Sequence, residues 1–161
     1  MQRSEPERTM AFLLPMQGGC RCGQIRFRID ATPMMTMACH CRGCRQMSGS
    51  AFSLNVAVPN AALIVTQGEP VIGGLHGEQV RHHHCDHCKS WLFTRIEPDP
   101  GFANVRVGAL DTPEPFAPFI ETWTDEALPG AMTPARHRYP QFPPAEAFGP
   151  LLADYAATQT A

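Results

Sequence analysis

Apolar and polar residues alternate along much of the chain, beginning with the run from Ile25 to Asp30. Ile25, Phe27 and Ile29 would share one face of a strand, while the arginines between them would face solvent. Short runs of the same kind recur downstream, separated by turns that contain glycine and proline. They cover residues 52–59, 62–66, 80–84, 91–96, 104–110 and 119–124. Many short strands at roughly even spacing predict an all-β sandwich or a barrel-like fold.

Helical patterns are few. We expect one short helix at residues 42–47 and another at 150–157, where proline is tolerated in the first turn. Six prolines between residues 129 and 150 indicate an extended wrap over the body or a loose tail. At 161 residues the chain is long enough for one domain with a real core. We therefore expect a loose leader at 1–17, one domain at 18–130 and a proline-rich C-terminal extension at 131–161.

Charge and hydropathy exclude some classes of partner. The formal net charge is −2, which gives no general attraction for nucleic acid or for an anionic membrane. The apolar run near the start, residues 10–16, is far too short to span a bilayer, and acidic residues before it do not fit a secretory signal. We expect a cytoplasmic protein with reduced thiols and with neither nucleic acid nor membrane as a partner.

Seven cysteines are the strongest chemical signal in the sequence. An odd number cannot pair completely into disulfides, and cysteines one to three positions apart converge on a metal ion more easily than they form unstrained bridges. Structural zinc sites use four protein ligands, whereas catalytic sites use three and leave a position for water or substrate. Seven cysteines are therefore enough for one structural site with four ligands and one catalytic site with three. The groups are Cys20 and Cys22, then Cys39, Cys41 and Cys44, then Cys85 and Cys88.

The first and last groups predict a structural zinc site. A shared ion would join Cys20 and Cys22 to Cys85 and Cys88 across more than sixty residues, and structural zinc binding appears directly as folding free energy. Glycines at positions 18, 19 and 23 would let the first pair turn tightly toward the ion.

Cys39, Cys41 and Cys44 predict an open, catalytic zinc site. A fourth coordination position could accept water or the thiol of a small substrate. Arg42 and Arg45 would offset the negative charge and could bind a carboxylate of the ligand. The alternative is a second closed structural site completed by His40 or another histidine. Strand alternation would point His40 away from the metal, and it separates His83 from its two histidine neighbours.

Taken together, several motifs resemble the glutathione-dependent formaldehyde-activating enzyme family, which shares its domain with centromere protein V. The resemblance extends from about residue 18 to residue 129 and includes all seven cysteines. The motifs are Gly18-Gly-Cys-Arg-Cys-Gly23, Cys39-His-Cys-Arg-Gly-Cys-Arg45, Ser48-Gly49, Cys85-x-x-Cys88 and Val107-Gly-Ala-Leu-Asp111.

The resemblance implies a twisted antiparallel β-sheet sandwich with few short helices, stapled by structural zinc. It also implies that the three-cysteine group holds a catalytic zinc, at a site that need not be fully occupied. The family's reaction joins formaldehyde to glutathione, and the enzyme is classed as a carbon–sulfur lyase. Its partners would be glutathione or a similar small thiol and a small aldehyde, with Arg42, Arg45 and Lys89 as the expected contacts to the anionic ends of the thiol.

Two other functions remain open from the sequence. The centromeric relative suggests a non-catalytic zinc-binding interaction module. A redox or metal sensor is the other, since accessible thiols that lose zinc can oxidise. Trp123 is also ambiguous: packing in a strand core is its commoner role, and forming a wall of the ligand pocket is the alternative.

Overall fold

The computed structural model of the chain describes residues 12–74 and 77–159, so most of the expected leader lies outside the described residues. Within these ranges no helix is both long and apolar enough to cross a membrane. The described residues form two α-helices, α1 (Arg42–Ser48) and α2 (Phe148–Thr158), and eleven strands. The strands are β1 (Met16–Gly19), β2 (Arg26–Ile29), β3 (Met35–Cys39), β4 (Ser53–Pro59), β5 (Leu63–Gln67), β6 (Val71–Gly73), β7 (Val80–His84), β8 (Trp91–Ile96), β9 (Phe102–Arg106), β10 (Ile120–Thr122) and β11 (His137–Arg138).

The strands form two sheets, which confirms the predicted mainly β fold with few short helices. The smaller sheet has the order β1-β2-β5 and is antiparallel. The larger sheet has the order β11-β10-β3-β4-β9-β8-β7-β6. It is antiparallel except at one edge, where β10 runs parallel to both β3 and β11. A connection to a parallel neighbour cannot be a hairpin, so this edge depends on long excursions of the chain.

The main core lies where the two sheets meet. Phe27 and Ile29 of β2 are fully buried while the arginines beside them stay partly exposed, as the alternating pattern predicted. The Phe27 ring meets Phe93 of β8 edge-on, with the ring centres 6.1 Å apart. Val56 and Val105, from the centre of the large sheet, complete this fully buried group. Burial of each such side chain contributes about 1.5–3 kcal/mol.

The C-terminal segment wraps over the body of the protein. Leu151 and Tyr155 of α2 are buried against Met35 and Met37 of β3 in a second apolar cluster. The proline-rich stretch was expected to be either an extended wrap over the body or a loose tail, and its described residues form the wrap. At the other end of the chain, the ring of Phe12 stacks on Phe116 at 5.0 Å, and β1 begins two residues before the expected domain boundary.

A buried carboxylate anchors this wrap. Glu121 of β10 is fully buried and accepts hydrogen bonds from the Thr133 backbone N–H at 2.6 Å and from Arg138 Nε at 2.8 Å. Its other neighbour is His40, whose Nε2 lies 3.2 Å from Glu121 Oε1. Burial alone would raise the pKa of Glu121, but these hydrogen bonds outweigh it and lower the pKa below its ordinary value of 4.5.

Glu121→Gln keeps the shape of the side chain and removes its charge. We expect the free energy of unfolding to fall by about 2 kcal/mol at neutral pH, measured by urea denaturation. A lowered folded pKa means that the contribution is complete above pH 4.5 and is lost as the pH falls through the folded pKa. The difference from wild type should therefore narrow in acid. The exposed Glu114→Gln is the control, and a difference that stays constant into acid would contradict this prediction.

Candidate metal centres

The structure brings the first and last cysteine groups together. Cys20 and Cys22 lie in the turn between β1 and β2, and Cys85 and Cys88 lie in the turn between β7 and β8. The four Sγ atoms are all within 4.8 Å of one another. Cys22 Sγ is 3.4 Å from Cys20 Sγ and 3.7 Å from Cys85 Sγ. The cluster therefore links the small sheet to the far half of the large sheet.

Local hydrogen bonds prepare this cluster for a cation. The Ile25 backbone N–H donates to Cys20 Sγ at 3.2 Å. The Ser90 hydroxyl, 3.1 Å from Cys88 Sγ, is the largest of several hydrogen-bonding contributions that lower the pKa of Cys88 to about 5. The thiolate is the form that binds a metal, so this contact favours the ligand state. Of the three glycines expected to shape the turn, Gly23 has the positive φ of 80°, whereas Gly18 lies in β1, where a Cβ would come within 2.5 Å of the Phe27 ring.

The second cluster forms where β3 meets α1. Cys39 is the last residue of β3, Cys41 is the N-cap of α1, and Cys44 lies in its first turn. The Cys44 backbone N–H donates to Cys41 Sγ at 3.4 Å. Since i and i+3 share a helix face, this arrangement aims both side chains in one direction. The three Sγ atoms lie within 4.8 Å of one another.

The chemistry of both clusters fits a soft metal ion. In the second cluster, the Cys39 and Cys41 thiols raise the pKa of Cys44, and the Cys41 thiol raises the pKa of Cys39. Three thiolates this close repel one another, so they ionise together only around a cation. Thiolate sets of this kind select zinc and other soft metals. Among the described residues, no His, Asp or Glu joins either group of converging ligand atoms. His40, in particular, is fully buried and turned toward Glu121 and Phe52.

A cavity of about 540 Å³ reaches the second cluster, and Cys39, Cys41 and Cys44 all line it. Trp91 and Trp123 form part of its wall. Trp123 does not lie in a strand core, because β10 ends at Thr122 and Trp123 takes a left-handed conformation with φ 58°. The sequence alone left its role open, and the structure places it beside the cavity.

The predicted cationic contacts lie elsewhere. Arg42 and Arg45 line a separate open cleft on α1, and Arg45 Nε donates to the His40 carbonyl at 3.0 Å. Lys89 lies in the turn of the four-cysteine cluster, where its Nζ is 2.7 Å from Asp86. None of these three cations lines the cavity. Although Arg42, Arg45 and Lys89 are close to cysteines in the sequence, the fold does not place them in the cavity that the three cysteines line.

Arg106 is the cation near the second cluster that sequence reasoning missed. Its guanidinium lies 4.3 Å from the centre of the Trp91 ring, and its Nη1 donates to Asn55 Oδ1 at 2.6 Å. Burial lowers the pKa of Arg106 to about 10, while the nearby Cys44 and Cys39 act in the opposite direction. It therefore stays charged at neutral pH. In the sequence, Arg106 occupies an ordinary polar position of an alternating strand, so nothing separated it from a surface arginine.

Two buried polar atoms beside the cavity have no hydrogen-bond partner within the described part of the chain. They are Asn104 Oδ1 and Thr122 Oγ1, and both residues line the cavity. Buried polar atoms are nearly always paired, so such atoms next to a cavity are typical of a ligand site.

Comparison with known proteins decides the family. The model of the family described as glutathione-dependent formaldehyde-activating enzyme matches residues 15–126, which is more than half of the chain and includes both cysteine clusters. The chain belongs to this family. The suspected resemblance is thereby confirmed. Glutathione and formaldehyde are the compounds in the family's description, and the two clusters are compatible with metal binding and glutathione-related activity.

A solved structure supports the fold of this family member. The chain is similar to the crystal structure of a Rhodobacter sphaeroides protein, with a TM-score of 0.55 and 18% sequence identity. The alignment covers 66% of this chain and 100% of the other. At this identity the likeness concerns the fold alone. No curated protein matches the sequence.

Proposed function

We propose that this chain is a zinc-dependent carbon–sulfur lyase that forms or cleaves the bond between glutathione and an aldehyde, as in S-hydroxymethylglutathione or a relative. The observation that carries the proposal is that three converging cysteines line a cavity of about 540 Å³. Three protein ligands leave a tetrahedral ion one position for substrate, which is typical of catalytic zinc. The four-cysteine cluster would hold the structural zinc. Seven free cysteines favour a reducing compartment, so we place the protein in the cytoplasm.

In the direction of synthesis, the thiol of glutathione adds to the carbonyl carbon of the aldehyde. The S–H bond breaks, an S–C bond forms, and the π electron pair of the carbonyl moves to its oxygen, which takes up the proton. Zinc held by Cys39, Cys41 and Cys44 would supply a Lewis-acidic position that favours the thiolate form of the substrate.

The chain's own residues would orient the adduct. Asn104 Oδ1 is suited to accept a hydrogen bond from the new hydroxyl group, and Thr122 Oγ1 could donate to the same oxygen or accept from it. The Arg106 charge would offset the negative charge of the three thiolates, and its stacking on Trp91 fixes its position. We propose that Arg42 and Arg45 bind carboxylates of glutathione from their cleft on α1. Lys89, paired with Asp86 in the other cluster, has no part in this proposal.

Zinc analysis and exchange spectroscopy test the proposal together. Elemental analysis should find two zinc ions per chain, one for each cluster. NMR exchange spectroscopy of formaldehyde with glutathione should then show faster formation and breakdown of S-hydroxymethylglutathione when the protein is added. S-methylglutathione, which has no thiol, is the control and should give no adduct. For protein saturated with zinc, one bound zinc ion per chain, or exchange at the uncatalysed rate, would refute the proposal.

A further inference from the structure

The cavity at the three-cysteine cluster is lined mainly by apolar side chains. Among the described residues that line it there is no lysine, arginine, aspartate or glutamate. Methionines of β3, aromatic rings and aliphatic side chains make up most of the wall. Representative members are Met35, Met37, Trp91, Ile96, Phe102 and Trp123. Such a wall favours an apolar ligand group and disfavours a charged one.

Part of this wall comes from the C-terminal segment. Phe142, Phe148 and Leu152 line the cavity, and all three follow the residues 15–126 that match the family model. The rings of Phe142 and Phe148 are 5.5 Å apart, and Phe148 and Leu152 pack against the apolar cluster around Met35. The wrap therefore adds an apolar side to a cavity whose cysteines belong to the matched region.

Glutathione cannot account for this wall by itself. Its two carboxylates and its ammonium group are charged at neutral pH, and burying such groups without a partner is costly. These groups would therefore have to remain outside the apolar part of the cavity. The one-carbon group of formaldehyde would leave most of a cavity of about 540 Å³ unfilled. The apolar wall is thus matched to neither half of S-hydroxymethylglutathione.

We propose that the second half of the substrate is a bulky apolar group, so that the preferred adduct is one of a thiol with an aliphatic or aromatic aldehyde larger than formaldehyde. This inference rests on the proposed function for the reaction itself. The bond changes are those given above, and only the substituent on the carbonyl carbon differs. Cys39, Cys41 and Cys44 would bind the metal at one part of the cavity, while Phe142 and Phe148 contact the substituent.

Binding of a homologous series of thiols tests the apolar cavity without turnover. The probes are ethanethiol, butanethiol, hexanethiol and octanethiol, added to the zinc-loaded protein, with tryptophan fluorescence as the signal because Trp91 and Trp123 line the cavity. We expect Kd to fall by about four-fold for each added methylene until the cavity is filled. Equal Kd values across the series would overturn the inference.

A substitution in the cavity wall tests where the alkyl chain of the thiol binds. Phe142 lines the cavity but the residue is 53% exposed, so Phe142→Ser should fold normally. It should weaken octanethiol binding by about ten-fold and ethanethiol binding by less than about two-fold, because only the longer chain reaches this ring. Ile72→Ser is the matched control, since Ile72 is 57% exposed and does not line the cavity. If the two variants changed the Kd of octanethiol equally, its alkyl chain would bind elsewhere, and the inference would be overturned.

Turnover separates this inference from the proposed function. We expect kcat/KM for the glutathione adduct of hexanal to exceed that for the formaldehyde adduct by at least about ten-fold. Turnover of the formaldehyde adduct alone would overturn the inference and leave the proposed function standing. Chain-length-dependent binding with no turnover of any adduct would refute the proposed function, and would support the cavity only as an apolar binding site.

Discussion

Cys85→Ser is expected to unfold the protein. Cys85 is 1% exposed and belongs to the cluster that links the turn between β1 and β2 to the turn between β7 and β8. Zinc binding to such a cluster contributes roughly 10 kcal/mol or more to small zinc domains, which is comparable to the whole stability of an ordinary domain. Replacing one buried thiolate with a hydroxyl would remove most of that contribution.

Circular dichroism and elemental analysis would measure this effect. The variant should lose cooperative thermal unfolding together with the zinc of the four-cysteine cluster. Asp86→Asn is the matched control, because Asp86 lies in the same turn, is 76% exposed and forms only a surface ion pair. A Cys85→Ser protein that folds cooperatively and keeps two zinc ions would contradict the assignment of this cluster as structural.

The strands with one buried face were the predictable part of the fold. In β2 the burial alternates as the sequence does, and β7 and β8 have the predicted bounds. Strand β3 was not predicted, because all five of its residues are buried and no alternation marks it. Strands covered on both faces lose the period of two that identifies a strand. Two other strands, β6 and β11, are too short to carry a pattern.

The cysteine clusters were predictable for a different reason. Close spacing along the chain constrains where side chains can go, so Cys39, Cys41 and Cys44 converge almost regardless of the rest of the fold. The cavity next to them is formed by residues distant in sequence, such as Met35 and Phe148. No local pattern contains that information, since it depends on the wrap of the C-terminal segment and on the parallel pairing of β10 with β3.

The contacts to substrate show the limit of reasoning from sequence neighbours. Arg42 and Arg45 flank Cys44, a candidate metal ligand, in the sequence. On α1, however, the two arginines line a different cleft from the cavity that Cys44 lines. Residues one position apart on a helix point about 100° apart, so adjacency to a ligand is weak evidence for a shared site. Arg106, more than sixty residues from Cys44, interacts electrostatically with it because β9 pairs with β4, which in turn pairs with β3 up to Cys39.

Cys41→Ser should abolish the second metal site and leave the fold intact. Cys41 is the N-cap of α1, and serine is a favourable N-cap whose oxygen can accept the same hydrogen bond from the Cys44 backbone N–H. The helix therefore survives the change. We expect one zinc ion per chain instead of two and a loss of kcat/KM on the order of a thousand-fold, about 4 kcal/mol of transition-state stabilisation.

The contrast between Cys41→Ser and Cys85→Ser is the decisive result, because the two clusters use the same ligand chemistry in different structural settings. Cys41→Ser should lower the unfolding free energy by less than about 2 kcal/mol, because α1 is a short surface helix with no buried residue. Ser48→Ala, on the same helix, is the control and should keep both metal ions and full activity. If Cys41→Ser destabilises the protein as severely as Cys85→Ser, the three-cysteine cluster is a second structural site rather than an open one.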